Sequence, residues 1–379
     1  KKDSSRLAHK RIYPTQAIHP MISKLFNKKE TDSVQPFIIS GPCSVETPEQ
    51  LFQTVEALYE EGVCVFRGGV WKPRNRPGSF EGVGTIALPW IKEVKQEFDI
   101  EFAIEVASAR HVEEALNVGI DILWIGARST VNPFTVQEIA DSLEGVDIPV
   151  LIKNPVNPDL GLWLGAFERI HAAGIEQTAA IHRGFSNFRE KVYRNSPNWQ
   201  IPIDFRSELP QIPMICDPSH ISGKRQLVPI VSQKALDLNF DGLMIESHIN
   251  PIEAWSDSDQ QLSPKALGLM IRSLQTRKVH FEEKDKQQKL NEIRDQIDQA
   301  DHDLLEAIHQ RMALVEKIGE FKKLNNVAVL DMDRWKHILQ TRPDWAREMS
   351  LNPTMIEEMF GLIHQESIKR QTEIIDPKT

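Results

Sequence analysis

The chain has 379 residues, enough for two domains with hydrophobic cores of their own. Hydrophobic residues make up 40% and charged residues 26%, which excludes a largely disordered chain. A formal net charge of -9 argues against a general nucleic-acid or anionic-membrane coat, so any anion-binding role must come from a local basic cluster.

Residues 1–36 read as a mostly polar arm containing Pro14 and Pro20. Its charged start is followed by no apolar stretch, so no signal peptide is expected. No apolar run reaches about 18 residues, so no transmembrane helix is expected either. From residue 37 to 274 one pattern recurs, in which a short apolar, β-branched run ends in a polar residue or Gly and an amphipathic segment follows. The runs are FIISGPCSV (37–45), VCVFRGG (63–69), EFAIEV (101–106), ILWIGAR (122–128), PVLIKN (149–154), QTAAIHRG (177–184), PMICDPSH (213–220) and GLMIESH (242–248). Continuous apolar strands suit a parallel sheet covered on both faces. Eight such units predict a (β/α)8 TIM barrel, with a doubly wound open sheet as the alternative. Three cysteines without CxxC spacing fit reduced thiols in a cytoplasmic protein; Cys64 and Cys216 lie inside apolar runs and are assigned to the core.

Residues 275–289 are polar and mixed in charge, and read as a solvated linker, in part helical. A helical stripe then runs through Leu290, Ile293, Ile297, Ala300, Leu304, Ala307, Arg311, Leu314, Ile318 and Phe321. A helix of ~35 residues would be ~50 Å long and is expected to pair with another chain. Two further helices, near 331–341 and 353–374, are separated by RPDW and LNP, giving an all-α domain over 290–379.

Parallel barrels place their active sites at the C-terminal strand ends. Those ends, with the loop after Arg67, supply six cations: Arg67, Lys72, Arg74, Arg128, Lys153 and Arg183. Such a cluster in an acidic protein suits small substrates carrying phosphate and carboxylate, although any one of these residues could equally solvate a loop. Cys43, His220, Glu246 and Asp257 form a thiolate, imidazole and carboxylate set suited to a divalent transition metal; their spacing alone is a weak signal.

Together GPCSVE (41–46), FRGGVWKPR (66–74), IGAR (125–128), IHRG (181–184), DPSH (217–220), IESH (245–248) and SDSDQQL (256–262) resemble the type I-beta 3-deoxy-D-arabino-heptulosonate 7-phosphate (DAHP) synthases. The resemblance implies a barrel that joins phosphoenolpyruvate to erythrose 4-phosphate and releases phosphate. It implies Cys43, His220, Glu246 and Asp257 as ligands of Mn, Zn, Co or Fe. Arg67, Lys72, Arg128, Lys153 and Arg183 would bind phosphoenolpyruvate, with Arg74 facing the aldose phosphate; Glu105 is a candidate general base for the water proton, though its simplest reading is as an orienting partner for a cation. Where the family usually reads KPRT, this chain has Asn75. The competing family is 3-deoxy-D-manno-octulosonate 8-phosphate synthase, which reads KANR at this loop; the Pro73–Arg74 pair favours the shorter sugar.

In the helical region, Arg311 on an apolar seam calls for an anion, and Lys322 lies three turns on along nearly the same face. LNEIRDQID (290–298), QRMALVEKIGEFKK (310–323), VLDMDR (329–334) and FGLIHQESIKRQ (360–371) resemble the all-α chorismate mutases, intertwined homodimers that convert chorismate to prephenate. The resemblance implies a ligand site of Arg311, Lys322, Asp331, Arg334, Ser367 and Gln371, with Arg294 reaching in from the partner chain and Lys322 and Gln371 serving the ether oxygen. Trp335 stands where related enzymes often carry Glu. The expectation is a bifunctional, cytoplasmic shikimate-pathway enzyme with no nucleic-acid or membrane partner, regulated through its helical domain. The rival expectation makes that domain a ligand-sensing dimerisation module.

Overall fold

The computed structural model describes residues 25–26, 36–72, 80–277 and 283–376. Arg74 and Asn75, most of the arm at 1–36, and residues 278–282 of the expected linker lie outside the described residues. The chain divides into two compact units, Lys1–Val279 and His280–Thr379.

Each apolar run of the first unit contains one strand: β1 (Phe37–Gly41), β2 (Val65–Gly68), β3 (Glu101–Val106), β4 (Ile122–Ile125), β5 (Val150–Lys153), β6 (Thr178–His182), β7 (Met214–Cys216) and β8 (Gly242–Glu246). All neighbours are parallel, and β8 closes on β1 with Gly41 opposite Glu246, so the sheet is a closed barrel and not an open doubly wound one. Alternation along the strands separates two cores. Ile39, Val65, Ala103, Ile122, Trp124, Leu151, Ala179, Ile181, Ile215 and Met244 fill the interior, joined by Leu25. The remaining apolar strand residues, such as Phe66, Phe102, Leu123 and Ile152, meet the surrounding helices. Each large aliphatic or Phe side chain buried this way contributes ~1.5–3 kcal/mol. Cys216 is buried as expected, whereas Cys64, at the edge of its run, is only half-buried.

Short polar signals start the helices. Thr47, Asn132, Asp159 and Ser263 each accept a first-turn backbone N–H at the helices that begin at 48, 133, 160 and 264, and Pro follows the cap in three of the four. This grammar also shapes the mouth of the barrel. Asp217 follows β7 directly and caps the short helix Pro218–Ser222, accepting from the His220 N–H at 3.1 Å, which fixes where the His220 ring emerges.

The second unit is three helices: Lys284–Leu324, Met332–Glu348 and Pro353–Ile375. The first starts within the stretch read as a linker, because its Lys and Gln residues are good helix formers that extend an existing helix. The second runs through RPDW, where the sequence suggested a break. Pro343 forfeits one backbone hydrogen bond, at a cost of ~3 kcal/mol. Its ring is buried, and helical backbone on both sides keeps Ile338 and Ala346 buried as well. Within this chain the long helix buries Met312, Val315 and Gly319, while Ile293, Ile297, Leu304, Leu314, Ile318 and Phe321 of the expected stripe are exposed.

Candidate active site

The barrel mouth gathers a dense charge network. Arg67, from β2, is buried with Nη2 3.3 Å from Glu246 Oε1 at the end of β8, and its guanidinium carbon lies 5.0 Å over the Trp124 ring. Lys153, from β5, sits 5.7 Å over the same ring and donates to Asp217 Oδ2 at 2.7 Å. Trp124 therefore supports two cations, a role the apolar run containing it did not suggest. The indole N–H is donated to Glu105 Oε2 at 3.2 Å. Room for that carboxylate depends on Gly126, where a Cβ would lie 1.9 Å from Glu105 Oε1. Arg183 is buried and donates to Asn195 Oδ1 at 2.8 Å; burial brings its guanidinium down to about 10. Arg128 is exposed on the short helix Ala127–Thr130 after β4. Two nitrogens of Arg67, Nε and Nη1, are buried without a hydrogen-bond partner among the described residues.

Beside these cations, donor atoms of Cys43, Glu246 and Asp257 all lie within 4.8 Å of one another. The Cys43 thiol is 3.1 Å from Asp257 Oδ2 and receives the Lys72 ammonium at 2.8 Å. His220 adjoins the group, with Nε2 3.6 Å from Glu246 Oε1 and Nδ1 2.8 Å from Asp217 Oδ2. Burial, with the Glu246 and Asp257 charges, pushes the Cys43 thiol up to about 12. Burial opposes ionisation of Glu246, Asp257 and Asp217, but their cationic neighbours outweigh it and hold all three below the usual carboxylate range. Those neighbours are His220 with Arg67 for Glu246, Arg194 for Asp257, and His220 with Lys153 for Asp217, although burial holds the His220 imidazole itself below its usual value. One soft thiol, two hard carboxylates and an adjacent imidazole fit a divalent transition metal.

Several supports escaped the sequence reading. Arg194, in the loop after β6, donates to Asp257 Oδ1 at 3.0 Å and to Gln260 Oε1 at 2.7 Å. Gln260 passes a hydrogen bond to Glu246 Oε2 at 2.7 Å, and Gln261 accepts the Cys43 N–H at 3.0 Å. Both glutamines stand in SDSDQQL, where donor chemistry singles out only Asp257. His248, also at a strand end, is buried against Glu46 at 3.4 Å and belongs to the scaffold.

In the helical unit, Arg311 donates to Ser367 Oγ at 2.8 Å, and Gln371, one turn on from Ser367, donates to the Ser367 carbonyl at 3.2 Å. Gln371 Oε1 is buried without a partner among the described residues. Lys322 donates to the Val329 carbonyl and Asp331 caps the second helix, accepting from the Arg334 N–H at 2.9 Å. The Trp335 ring stacks on His364 at 4.0 Å and 21°. Arg294 is exposed on the long helix, away from these residues' contacts within this chain.

Comparison with known proteins gives two matches. Residues 27–283 match the DAHP synthetase I family, and residues 293–372 match chorismate mutase type II. A phospho-2-dehydro-3-deoxyheptonate aldolase of Thermotoga maritima is 34% identical over 225 residues, which is 59% of this chain and 64% of that protein; the chain thus spans somewhat under two thirds of that relative. A 2-dehydro-3-deoxyphosphooctonate aldolase of Francisella tularensis is 24% identical over 58% of this chain and 83% of its own length. The crystal structure of the phospho-2-dehydro-3-deoxyheptonate aldolase (DAHP synthase) from Thermotoga maritima aligns with a TM-score of 0.56 at 31% identity, over 62% of this chain and 67% of the other. With most of the chain covered by one family and a cation-rich mouth built from that stretch, the chain belongs to the DAHP synthetase I family and carries a chorismate mutase type II region behind its barrel.

Proposed function

We propose that the chain is a bifunctional shikimate-pathway enzyme. Its barrel, placed at 37–274 after an arm at 1–36, joins phosphoenolpyruvate to erythrose 4-phosphate. Its helical domain, at 290–379 after a linker at 275–289, rearranges chorismate to prephenate. The observation that carries the first reading is the pairing of buried cations with a metal-type donor set at one mouth. Arg67 keeps two buried nitrogens unpartnered among the described residues, as a fork awaiting an oxyanion does.

A divalent transition metal held by Cys43, His220, Glu246 and Asp257 would supply Lewis acidity to the aldehyde oxygen of the sugar phosphate. Arg67, Lys153, Arg183 and Arg128 hold the phosphate and carboxylate of phosphoenolpyruvate, Lys72 reaches in from the following loop, and Arg74 takes the aldose phosphate. Glu105, tied to the Trp124 indole, orients the cations. So held, carbon 3 of phosphoenolpyruvate attacks the aldehyde carbon, water adds at carbon 2, and the tetrahedral species expels phosphate. Orientation and fixed charge carry the catalysis. Phosphate release measured with erythrose 4-phosphate or arabinose 5-phosphate tests this. A preference for arabinose 5-phosphate would move the barrel to the octulosonate class, which the lower identity to those aldolases disfavours.

For the helical domain, Arg311, Arg334, Asp331 and Ser367 fix the ligand's carboxylates and hydroxyl, while Lys322 and Gln371 stabilise charge building on the ether oxygen. The exposed apolar stripe from Ile293 to Phe321 supports a homodimer, in which Arg294 serves the partner's site. We also propose that prephenate or chorismate bound there restrains the barrel; a synthase rate indifferent to both compounds in the intact chain removes that idea. Three free cysteines suit a reducing cytoplasm, and among the described residues no helix is long and apolar enough to cross a membrane. The stacked Trp335, where a carboxylate is usual, favours a second reading in which the domain senses ligand without turnover. Chorismate disappearance on the full chain, with Arg311→Ala as the comparison, separates the two: turnover lost only in the variant supports the mutase.

A further inference from the structure

We propose that Arg342 completes a three-arginine anion site with Arg311 and Arg334 and grips one carboxylate of the ligand bound by the helical unit. The inference rests on the reading that this unit takes a small dicarboxylate. Arg334, Ile338 and Arg342 stand at i, i+4 and i+8 on the second helix, so they share one face. Ile338 is buried and Arg342 half-buried, so the face turns inward towards its C-terminal end, while Arg334 stands exposed at its start. The Arg342 guanidinium carbon lies 4.3 Å over the Trp345 ring and 5.7 Å over the Phe360 ring, and Nη1 donates to Thr341 Oγ1 at 2.8 Å. Two aromatic faces hold the group in place without neutralising it.

Its charge is left for a ligand. Nε of Arg342 is buried without a hydrogen-bond partner among the described residues. Nearby carboxylates are engaged elsewhere: Asp344 pairs with Arg347, and Glu316 and Glu366 both pair with Arg370. Among the described residues no carboxylate forms an ion pair with Arg311, Arg334 or Arg342. Arg311 reaches Ser367 and Arg342 lies over Phe360, two turns apart on the third helix, so both guanidinium groups lie along that helix. Burial and then the Arg342 and Arg334 charges pull the Arg311 guanidinium down, and burial with the Arg311 charge does the same to His364. Like charges facing one another without a counter-ion, two of them half-buried and Arg334 exposed, cost free energy that a bound dianion would recover. Gln371 Oε1 and Arg342 Nε are thus two orphaned polar atoms of one small helical unit, one an acceptor and one a donor.

The test uses the full-length chain. Prephenate binding is measured by calorimetry, and KM and kcat for chorismate by absorbance, for wild type, Arg342→Met and Arg342→Lys. Met keeps the apolar stem over Trp345 and removes the charge. The expected result is a rise of about 10- to 100-fold in both Kd and KM for Met, the loss of one charged hydrogen-bonded contact, with kcat changed far less. Lys should recover part of the loss. If Met destabilises the fold by circular dichroism, the Lys variant and the salt dependence of Kd decide in its place. Changes of twofold or less in Kd and KM, or a fall in kcat at constant KM, overturn the proposal. A wild-type chain that binds prephenate but does not turn over chorismate would sink the mutase reading alone, and the Kd comparison would still judge Arg342. A wild type that binds neither compound sinks both.

Discussion

Arg67 and Glu246 face each other at 3.3 Å, both almost fully buried, across a barrel mouth where β1 alone separates their strands. Burial weakens the guanidinium's hold on its proton, yet Glu246 and Asp217 more than restore it. The pair is mutually dependent, because either partner alone would be an uncompensated buried charge. Arg67→Met should therefore cost about 3–5 kcal/mol of barrel stability as well as phosphoenolpyruvate affinity. Arg67→Lys should keep most of the stability but lose the fork, so that phosphoenolpyruvate binding falls while the melting temperature hardly moves. Equal melting temperatures for Met and wild type would show that Glu246 is compensated in another way.

The buried Cys43 thiol meets charged groups, Lys72 and Asp257, and is expected to matter through metal. Cys43→Ala should lower bound divalent metal, measured by elemental analysis, and abolish the synthase rate. A chelator should do the same to wild type. Chorismate turnover should survive both treatments, because no member of the Cys43, Glu246 and Asp257 group lies in the helical unit. Parallel loss of both activities on chelation would contradict separate sites.

Gly41 ends β1 at a φ of 154°, and a Cβ there would lie 2.0 Å from the Arg67 carbonyl oxygen. No side-chain rotation relieves a clash with backbone. Gly41→Ala should thus push β1 from β2 at the point where Arg67 is presented, costing roughly 3 kcal/mol from strain and overpacking together. Thermal unfolding checks the cost, and a rise in KM for phosphoenolpyruvate larger than that for the sugar checks the location.

The barrel was legible because fully buried parallel strands must be apolar along their length, and eight such runs left little else to build. The chemistry was legible only in part. Cys43, His220, Glu246 and Asp257 come from four separate segments, so no local spacing joins them; donor chemistry suggests the set and the resemblance supports it. Arg194 was invisible for a different reason: the loop holds Arg189, Lys191 and Arg194 together, and only the closed barrel brings one of them to Asp257. Gln260 and Gln261 could have been found, since two adjacent amides beside a presumed ligand offer both a donor and an acceptor to the buried groups around it. Pro343 reads as a helix break because its lost hydrogen bond is plain in the sequence and the burial of its ring is not, and Arg342 stands in that same RPDW segment.

His182, at the end of β6, offers a test by pH. Its ring is packed 5.2 Å from Trp199 and 5.7 Å from Phe185, centroid to centroid. Burial drives the imidazole down to about 3, despite an upward pull from the Pro197 backbone. An unfolded chain would titrate this residue near 6.5. Above that value neither state binds the proton and the contribution to stability is complete. Between about 6.5 and 3 the unfolded state takes up the proton and the folded state refuses it, so stability falls as pH falls. The slope from this one group approaches ~1.4 kcal/mol per pH unit. His182→Leu removes it, while carboxylates such as Asp217 still titrate in both proteins and largely cancel in the difference. Urea unfolding followed by barrel tryptophan fluorescence from pH 7 to 4 should show the variant losing less stability than wild type on acidification. Curves that stay parallel over that range would mean that His182 carries its proton in the folded barrel as readily as in the unfolded chain.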